Sequence, residues 1–360
     1  MDSKAPGLDF AVIGHQESWS AISSFINGIR GDDRKLDEQT IKSVFSYMPP
    51  RDLFRVKVRS ANGQTVTGAY IETFIDPDKL VNGSAAANIR KVAAAMQYAI
   101  KLGARIVTLG GFCSIVLEGN IDIVGQSATK FTTGNTLTAA FVVKGIELAA
   151  TQRRVDLASS NLLIVGATGD IGMAVTHYFK GKVKSLLVAA RNAVRLEKLA
   201  MSLRKEGHEV GSATDYRVLL PEANVIVLVS SSTSLSLEGC REDALVCDAG
   251  YPKNTEVAFH PVCPTIFHGG MGQVKGGYEF LPDYRSTFYR YPLPDVSHGC
   301  ILEAIVLAFE KAFTSYSAGK GNISVASMEE IFSWSCRNGI TLAPFYNSHG
   351  LWPNVQTANG

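Results

Sequence analysis

Cys300 stands where a nucleophile could work. It follows Pro292, Pro294, Ser297 and Gly299, and it precedes Ile301-Leu-Glu-Ala-Ile305-Val-Leu-Ala-Phe309, an apolar run with helical i, i+3, i+4 spacing. Ser297 as N-cap would put Cys300 in the first turn. Unpaired amides and the positive end of the helix dipole there favour a thiolate, the form that attacks a carbonyl carbon. Amides at the same helix start suit a developing oxyanion. His298 is close in sequence, which does not by itself bring it within hydrogen-bond reach. The plainer alternative is a small buried residue, as free cysteines commonly are, and the pattern alone favours neither. Cys113, in Gly110-Gly-Phe-Cys113-Ser114, is the rival thiol. Cys240, Cys247, Cys263 and Cys336 lack such a setting and read as structural. With no C-x-x-C pair and no Cys/His cluster at zinc spacing, no metal site is expected.

A second constellation is Val165-Gly166-Ala167-Thr168-Gly169-Asp170-Ile171-Gly172. Its glycines allow a tight turn and close approach to a pyrophosphate, whose charge rests at a helix N-terminus. A glycine pattern alone is a weak signal, but here a strand precedes it and a helix follows, which is the context a dinucleotide site needs. The next strand ends in Ala189-Ala190-Arg191-Asn192. Sites selective for NAD place Asp or Glu there. Arg191 suits a 2′-phosphate instead, so the expected cofactor is NADPH, with Arg195 as a weaker second contact. The competing reading of Arg191 is a solvated surface charge. Ser230-Ser-Ser, Gly250-Tyr251-Pro-Lys-Asn254 and His268-Gly-Gly-Met271 fall at later strand ends, as ligand-lining segments or as ordinary turns.

The elements that must position these residues follow from periodicity. The first half predicts a strand over residues 8–14, helices over 17–29 and 37–45, and strands over 53–59 and 65–71 joined by an Asn62-Gly63 turn. A helix over 87–102, a strand over 105–109 and a helix over 136–151 complete a compact α/β domain. Beyond Asn161, strands over 162–165, 185–190, 225–229, 244–247 and 265–268 alternate with helices over 171–179 and 194–205. That alternation predicts a doubly wound, Rossmann-type parallel sheet. The tail from about Ser297 reads as mostly helical. The expected organisation is an N-terminal α/β substrate domain over 1–152, a dinucleotide domain over 153–296 and a helical segment over 297–360. The first boundary falls in the polar connector at 153–160.

Composition narrows the function classes. Hydrophobic residues at 46% supply substantial cores, and charged residues at 19% are too few for a disordered chain. A net charge of +2 gives no general reason to expect nucleic acid. No apolar run reaches a membrane span and no signal-peptide pattern opens the chain, so the expected place is the cytoplasm, with free thiols. The sequence does not bear on oligomeric state.

Taken in order along the chain, these segments resemble the cyanobacterial long-chain acyl-(acyl carrier protein) reductases, which form fatty aldehydes. The matching segments are Ile13-Gly14-His15, Gly68-x-Tyr-Ile-Glu72, Gly110-Gly-Phe-x-Ser-Ile115 and Phe131-Thr-Thr-Gly-Asn-Thr136. They continue with the glycine loop over 165–172, Ala190-Arg-Asn192, Gly250-Tyr-Pro-Lys-Asn254 and Cys300-x-x-Glu-Ala304. The resemblance implies an NADPH-dependent oxidoreductase that reduces an acyl thioester, on acyl carrier protein or coenzyme A, through a cysteine acyl-enzyme. It also implies that Cys300 is that cysteine and that Cys113 is not required. Gly110, Gly111, Phe112, Ser114, Thr133, Asn135 and Thr136 are candidates for holding the thioester arm or carbonyl. Gly166, Ala167, Thr168, Gly169, Asp170, Ile171, Gly172, Arg191, Asn192, Ser230, Gly250 and Tyr251 are the expected cofactor residues. The stretch 275–297 departs from the cyanobacterial pattern. It carries Tyr278, Phe280, Tyr284, Phe288, Tyr289 and Tyr291, which would bear on an acyl tunnel or its mouth.

An acidic carrier calls for a basic face. Arg55, Lys57 and Arg59 alternate along one strand and share a side, where an ordinary solvated face is the stronger reading. The remaining alternatives are reductive release of a short or hydroxylated carrier-bound chain, a nucleotide-binding protein without turnover, and a shikimate-dehydrogenase-like enzyme, which has no use for the thiol.

Overall fold

The computed structural model describes residues 7–16, 18–30, 34–45, 47–76, 85–118, 120–232, 234–255, 265–283 and 291–352. The chain forms two compact units. The first comprises Met1–Gly134, Val274–Gly319 and Ser333–Thr341, and the second Asn135–Gln273, Lys320–Phe332 and Leu342–Gly360.

In the first unit, β1 (Phe10–Gly14) is flanked by two parallel neighbours, β3 (Thr65–Glu72) and β4 (Ile106–Leu109). Strand β2 (Arg51–Arg59) pairs with β3 as an antiparallel hairpin, and β5 (Lys130–Thr132) extends the other side. A sixth strand, Tyr278–Leu281, joins antiparallel to β2. The apolar runs of β1 and β4 are buried at every position, as strands covered on both faces must be. Strand β2 instead alternates, burying Phe54, Val56 and Val58. The hairpin turns at Asn62-Gly63, where Gly63 takes φ 85°. Helices α1 (Trp19–Arg30), α2 (Glu38–Phe45), α3 (Ala85–Lys101) and the short α4 (Phe112–Val116) complete this part. Val92, Met96 and Ala99 of α3 pack on Ile13, Ile71, Val107 and Leu109. A second cluster joins Trp19, Ile22, Ile41, Phe45 and Phe74.

The second unit holds α5 (Asn135–Arg153), β6 (Asn161–Val165), α6 (Asp170–Phe179), β7 (Ser185–Ala189), α7 (Ala193–Lys205), β8 (Val210–Ala213), β9 (Val225–Leu228), β10 (Leu245–Asp248) and β11 (Ile266–His268). The six strands lie in the order β11-β10-β9-β6-β7-β8 and every pairing is parallel. That is the doubly wound Rossmann order, with β6 at the point where the winding reverses.

The chain then returns to the first unit, where α8 (Gly299–Phe309) lies against β1, β3 and β4. Leu302 to Phe309 are buried without a break, as expected of a helix that is apolar on all sides. The mostly helical tail needs correction. After α8 and α9 (Val325–Arg337) the chain closes with short strands at Ile340–Leu342, Tyr346–Asn347 and Gly350–Leu351. Gly339, at φ 76°, ends α9, and β-branched Ile340 and Thr341 continue extended. Of the aromatic stretch, Tyr278 and Phe280 form a sheet edge, where Phe280 meets Phe54 edge-on at 5.4 Å. Tyr284, Phe288 and Tyr289 lie outside the described residues.

Candidate active site

The carboxyl ends of β1, β3, β4 and β5 gather around the start of α8. Gly14, closing β1, offers its carbonyl to both the N–H and the hydroxyl of Thr73, at 3.0 and 2.9 Å. His15 follows, buried. Its Nε2 accepts the Phe112 N–H at 2.9 Å, and its Nδ1 lies 3.0 Å from the Gln16 carbonyl. These partners require a proton on Nδ1 and none on Nε2. Burial lowers the pKa of His15, which keeps this neutral form. After β4, Gly110 donates to the Ile13 carbonyl at 2.8 Å. Gly111 then turns with φ 55° and ψ −132°, a backbone state that only glycine adopts freely. Ser114 returns its hydroxyl to the Gly111 carbonyl at 3.2 Å.

Cys300 is the second residue of α8. His298, not Ser297, is the N-cap, and no side chain caps the helix. Ser297 is instead the middle residue of a short strand, Val296–His298, and lies one residue before the cap position. The Cys300 sulfur receives backbone N–H donation from Gly111 and Ile301, which favours the thiolate. Burial outweighs these donors and pushes the thiol up, assisted by the charge of Glu303. The helix start therefore does not give the resting thiol the lowered pKa expected from the dipole. The residue nevertheless keeps partial solvent access.

Other contacts fix the cysteine's backbone. Its carbonyl accepts the Thr108 hydroxyl at 2.6 Å. Gly134, at φ 75°, presses so closely that an added Cβ would lie 2.5 Å from the Cα and O of Cys300. One turn along α8, the fully buried Glu303 accepts the Thr132 hydroxyl, which itself accepts the Ser317 N–H at 3.0 Å. Thr133 donates its N–H to the Ser317 carbonyl at 3.0 Å. Cys113 is buried outright. Burial drives its thiol pKa well up, and the charges of Glu72 and Cys300 add to the effect. That makes it a poor nucleophile beside Cys300. Glu72 is buried with a pKa pushed up to about 7, held there by desolvation against hydrogen bonds from Gln16, Phe74 and Tyr70.

In the second unit the glycine loop wraps the end of β6. The N–H groups of Gly166 and Ala167 both reach the Ala189 carbonyl, at 2.8 and 3.1 Å, and Gly169 donates to the Gly166 carbonyl at 2.9 Å. Gly172 cannot carry a side chain, because its Cβ would stand 2.2 Å from the Gly166 oxygen. The loop thus forms a bare cradle with Thr168, Asp170 and Ile171 at the mouth of α6, whose first amides have no helical partner. The Asp170 carboxylate accepts from Asn135 Nδ2 and the Gly321 N–H, both at 2.8 Å. Arg191 is exposed at the end of β7 and donates to the Ser231 hydroxyl at 3.0 Å. Asn192 caps α7 by accepting the Arg195 N–H at 2.9 Å. Ser230 accepts the Asn254 side chain through its carbonyl at 3.0 Å. Gly250 and Tyr251 sit on a loop organised by buried Asp248, which accepts from the amides of Gly250, Asn254 and Thr255 and from the Thr255 hydroxyl. Burial and Lys253 bring His268 down to about 3.

The first unit thus gathers Gly110, Gly111, Phe112, Ser114 and Thr133 with Cys300. Asn135 and buried Thr136 belong to the second unit, Asn135 beside the glycine loop. The sequence alone did not single out Thr108, Thr132, Gly134, Glu303 and His15 as site residues, although all but Thr108 lie inside matching segments. Their signal was polarity or glycine within otherwise apolar runs. Arg55 pairs with Asp52 at 2.8 Å and Lys57 with Glu279 at 3.6 Å, so two of the three strand cations already face carboxylates.

A parallel sheet in Rossmann order with a glycine turn at its switch point is a dinucleotide-binding fold, and its relatives mark the chain as an NADPH-dependent oxidoreductase. Residues 147–258 match the family model described as Shikimate / quinate 5-dehydrogenase. The long-chain acyl-[acyl-carrier-protein] reductase of Synechococcus elongatus is 31% identical over 92% of this chain and 97% of its own length, and the chain belongs to that family. The shikimate dehydrogenase (NADP(+)) of Nitrosopumilus maritimus is 31% identical over 29% of this chain and 42% of its own. The L-tryptophan dehydrogenase structure from Nostoc punctiforme overlaps 67% of this chain and 62% of its own at 15% identity and TM-score 0.34. Among the described residues no helix is long and apolar enough to cross a membrane.

Proposed function

We propose that the protein reduces an acyl thioester, carried on an acidic acyl carrier protein or on coenzyme A, to the aldehyde through an acyl group on Cys300. The observation that carries this reading is the pair of backbone N–H groups, from Gly111 and Ile301, at the sulfur of a cysteine that is not wholly buried. Attack by that sulfur on the thioester carbon expels the carrier thiol and leaves the acyl group on Cys300. Amides at the start of α8 would serve the oxyanion that forms. When bound, NADPH supplies the hydride for reduction to the aldehyde level. The glycine cradle over 166–172 would hold its pyrophosphate, and Arg191 with Ser231 its 2′-phosphate. Cys300 departs as thiolate on aldehyde release, so one thioester, one NADPH and one proton give aldehyde, carrier thiol and NADP+. The raised resting pKa of the thiol means that the donors act most strongly once negative charge develops on the sulfur.

Intact-protein mass spectrometry after exposure to acyl thioesters of graded length, without NADPH, tests this. Wild type should gain one acyl mass, mapped to Cys300, and Cys300→Ser should gain none. Acylation elsewhere, or thioester-dependent NADPH oxidation undiminished in Cys300→Ser, would remove the acyl-enzyme from the reading.

A further inference from the structure

His15 takes no part in the chemistry above, yet it is linked to the sulfur through one short run of backbone. It lies at the carboxyl end of β1, with its ring against Phe112 at 5.8 Å between centroids. Its Nε2 accepts the Phe112 N–H. The preceding peptide belongs to Gly111, whose own N–H reaches Cys300. Gly111 is the most permissive residue in the loop, held at φ 55° and ψ −132°. Glycine loses more conformational freedom on ordering than any other residue, so its neighbours must hold it in place. Gly110, bonded to Ile13, pins one side, and His15 pins the other.

We propose that His15 is a positioning residue: by accepting the Phe112 N–H it fixes the Gly111 peptide so that the Gly111 N–H stays aimed at the Cys300 sulfur. The inference rests on Cys300 being the reacting thiol and extends that reading to the group that aligns its donor. The neutral tautomer is essential, because a proton on Nε2 would turn the acceptor into a donor facing another donor. Other ionisable groups around the sulfur are Glu303 on its own helix and Cys113 on α4, with Glu72 of β3 behind Cys113. None of these carries the Phe112 contact.

Two polar substitutions separate the role from mere filling of space. In His15→Gln a side-chain oxygen reaches the position of Nε2 and keeps the acceptor. In His15→Asn the side chain reaches only the position of Nδ1, keeping the Gln16 contact and losing Phe112. The readout is the rate of iodoacetamide alkylation of the Cys300 peptide against pH, measured by mass spectrometry on full-length protein. NADPH affinity serves as the control for folding. His15→Asn should move the alkylation profile to higher pH and slow labelling at neutral pH by about tenfold, the loss expected for a hydrogen bond to a charged group. His15→Gln should stay near wild type. Equal profiles for the two variants, or an Asn profile superimposed on wild type, would overturn the proposal. Because alkylation needs neither thioester nor hydride, this result is independent of whether Cys300 carries an acyl group.

Discussion

Gly134→Ala offers a sharp test of how the nucleophile is held. Gly134 sits at φ 75°, and its Cβ would stand 2.5 Å from Cys300 Cα and O and 2.7 Å from Cys300 Cβ. Non-bonded carbons rest at about 3.5–4.0 Å, so the start of α8 must retreat by roughly 1 Å. The obstructing atoms are mainly backbone, and Thr108 holds the same residue by its carbonyl. Side-chain rotation therefore offers no relief. A displacement of about 1 Å at a reacting group can cost on the order of 100-fold in rate. The left-handed backbone adds about 1 kcal/mol and overpacking about 1–3 kcal/mol. Together they should lower Tm by roughly 6–12 °C for a unit of this size. Gly63→Ala separates the two contributions, since Gly63 has φ 85° and nothing within 4 Å of its Cβ. It should lower Tm by about 2–4 °C and leave kcat unchanged. Steady-state oxidation of NADPH with an acyl thioester, alongside NADPH affinity, is the assay. Gly134→Ala should lose kcat and retain coenzyme binding. A Gly134→Ala enzyme with kcat within about twofold of wild type would refute the claim that close packing here sets the position of Cys300.

Two further outcomes follow from other contacts. Arg191→Ala should raise KM for NADPH by about 10–100-fold, the worth of hydrogen bonds to a charged group, and leave KM for NADH unmoved; equal effects on both coenzymes would assign Arg191 to the surface. The carboxyl of Glu72 titrates near 4.5 when unfolded and about 7 when folded, so below 4.5 both states hold the proton and stability is insensitive to it. Between these values the unfolded chain loses its proton while the folded one keeps it, so stability falls by about 3 kcal/mol as pH rises and levels off above about 7. Glu72→Gln should flatten that slope in denaturant unfolding measured from pH 4.5 to 8; parallel slopes in the two proteins would contradict it.

The nucleotide half was legible because its determinants are local. A buried run, a glycine turn and a helix start are adjacent from Asn161 to Phe179, and each segment prefers its conformation with little outside help. Strand and helix limits matched to within one or two residues for most elements. The misplaced cap shows where local reasoning ended. Ser297 has the right side chain, but the strand Val296–His298 runs one residue past it and leaves the cap position to His298, and where that strand ends depends on pairing elsewhere in the chain.

The sequence alone determined that a dinucleotide fold follows an α/β domain, and that Cys300 opens an apolar helix. Periodicity and glycine spacing are properties of neighbouring residues, and neighbours are what a sequence lists. Only the tertiary structure decided what surrounds the sulfur. His15, Glu72, Thr108, Gly111, Thr132, Gly134, Glu303 and Ser317 meet there from distant stretches of chain. Their burial reversed the thiol shift that the helix dipole alone would give, because desolvation depends on everything packed around a group and not on the residues beside it.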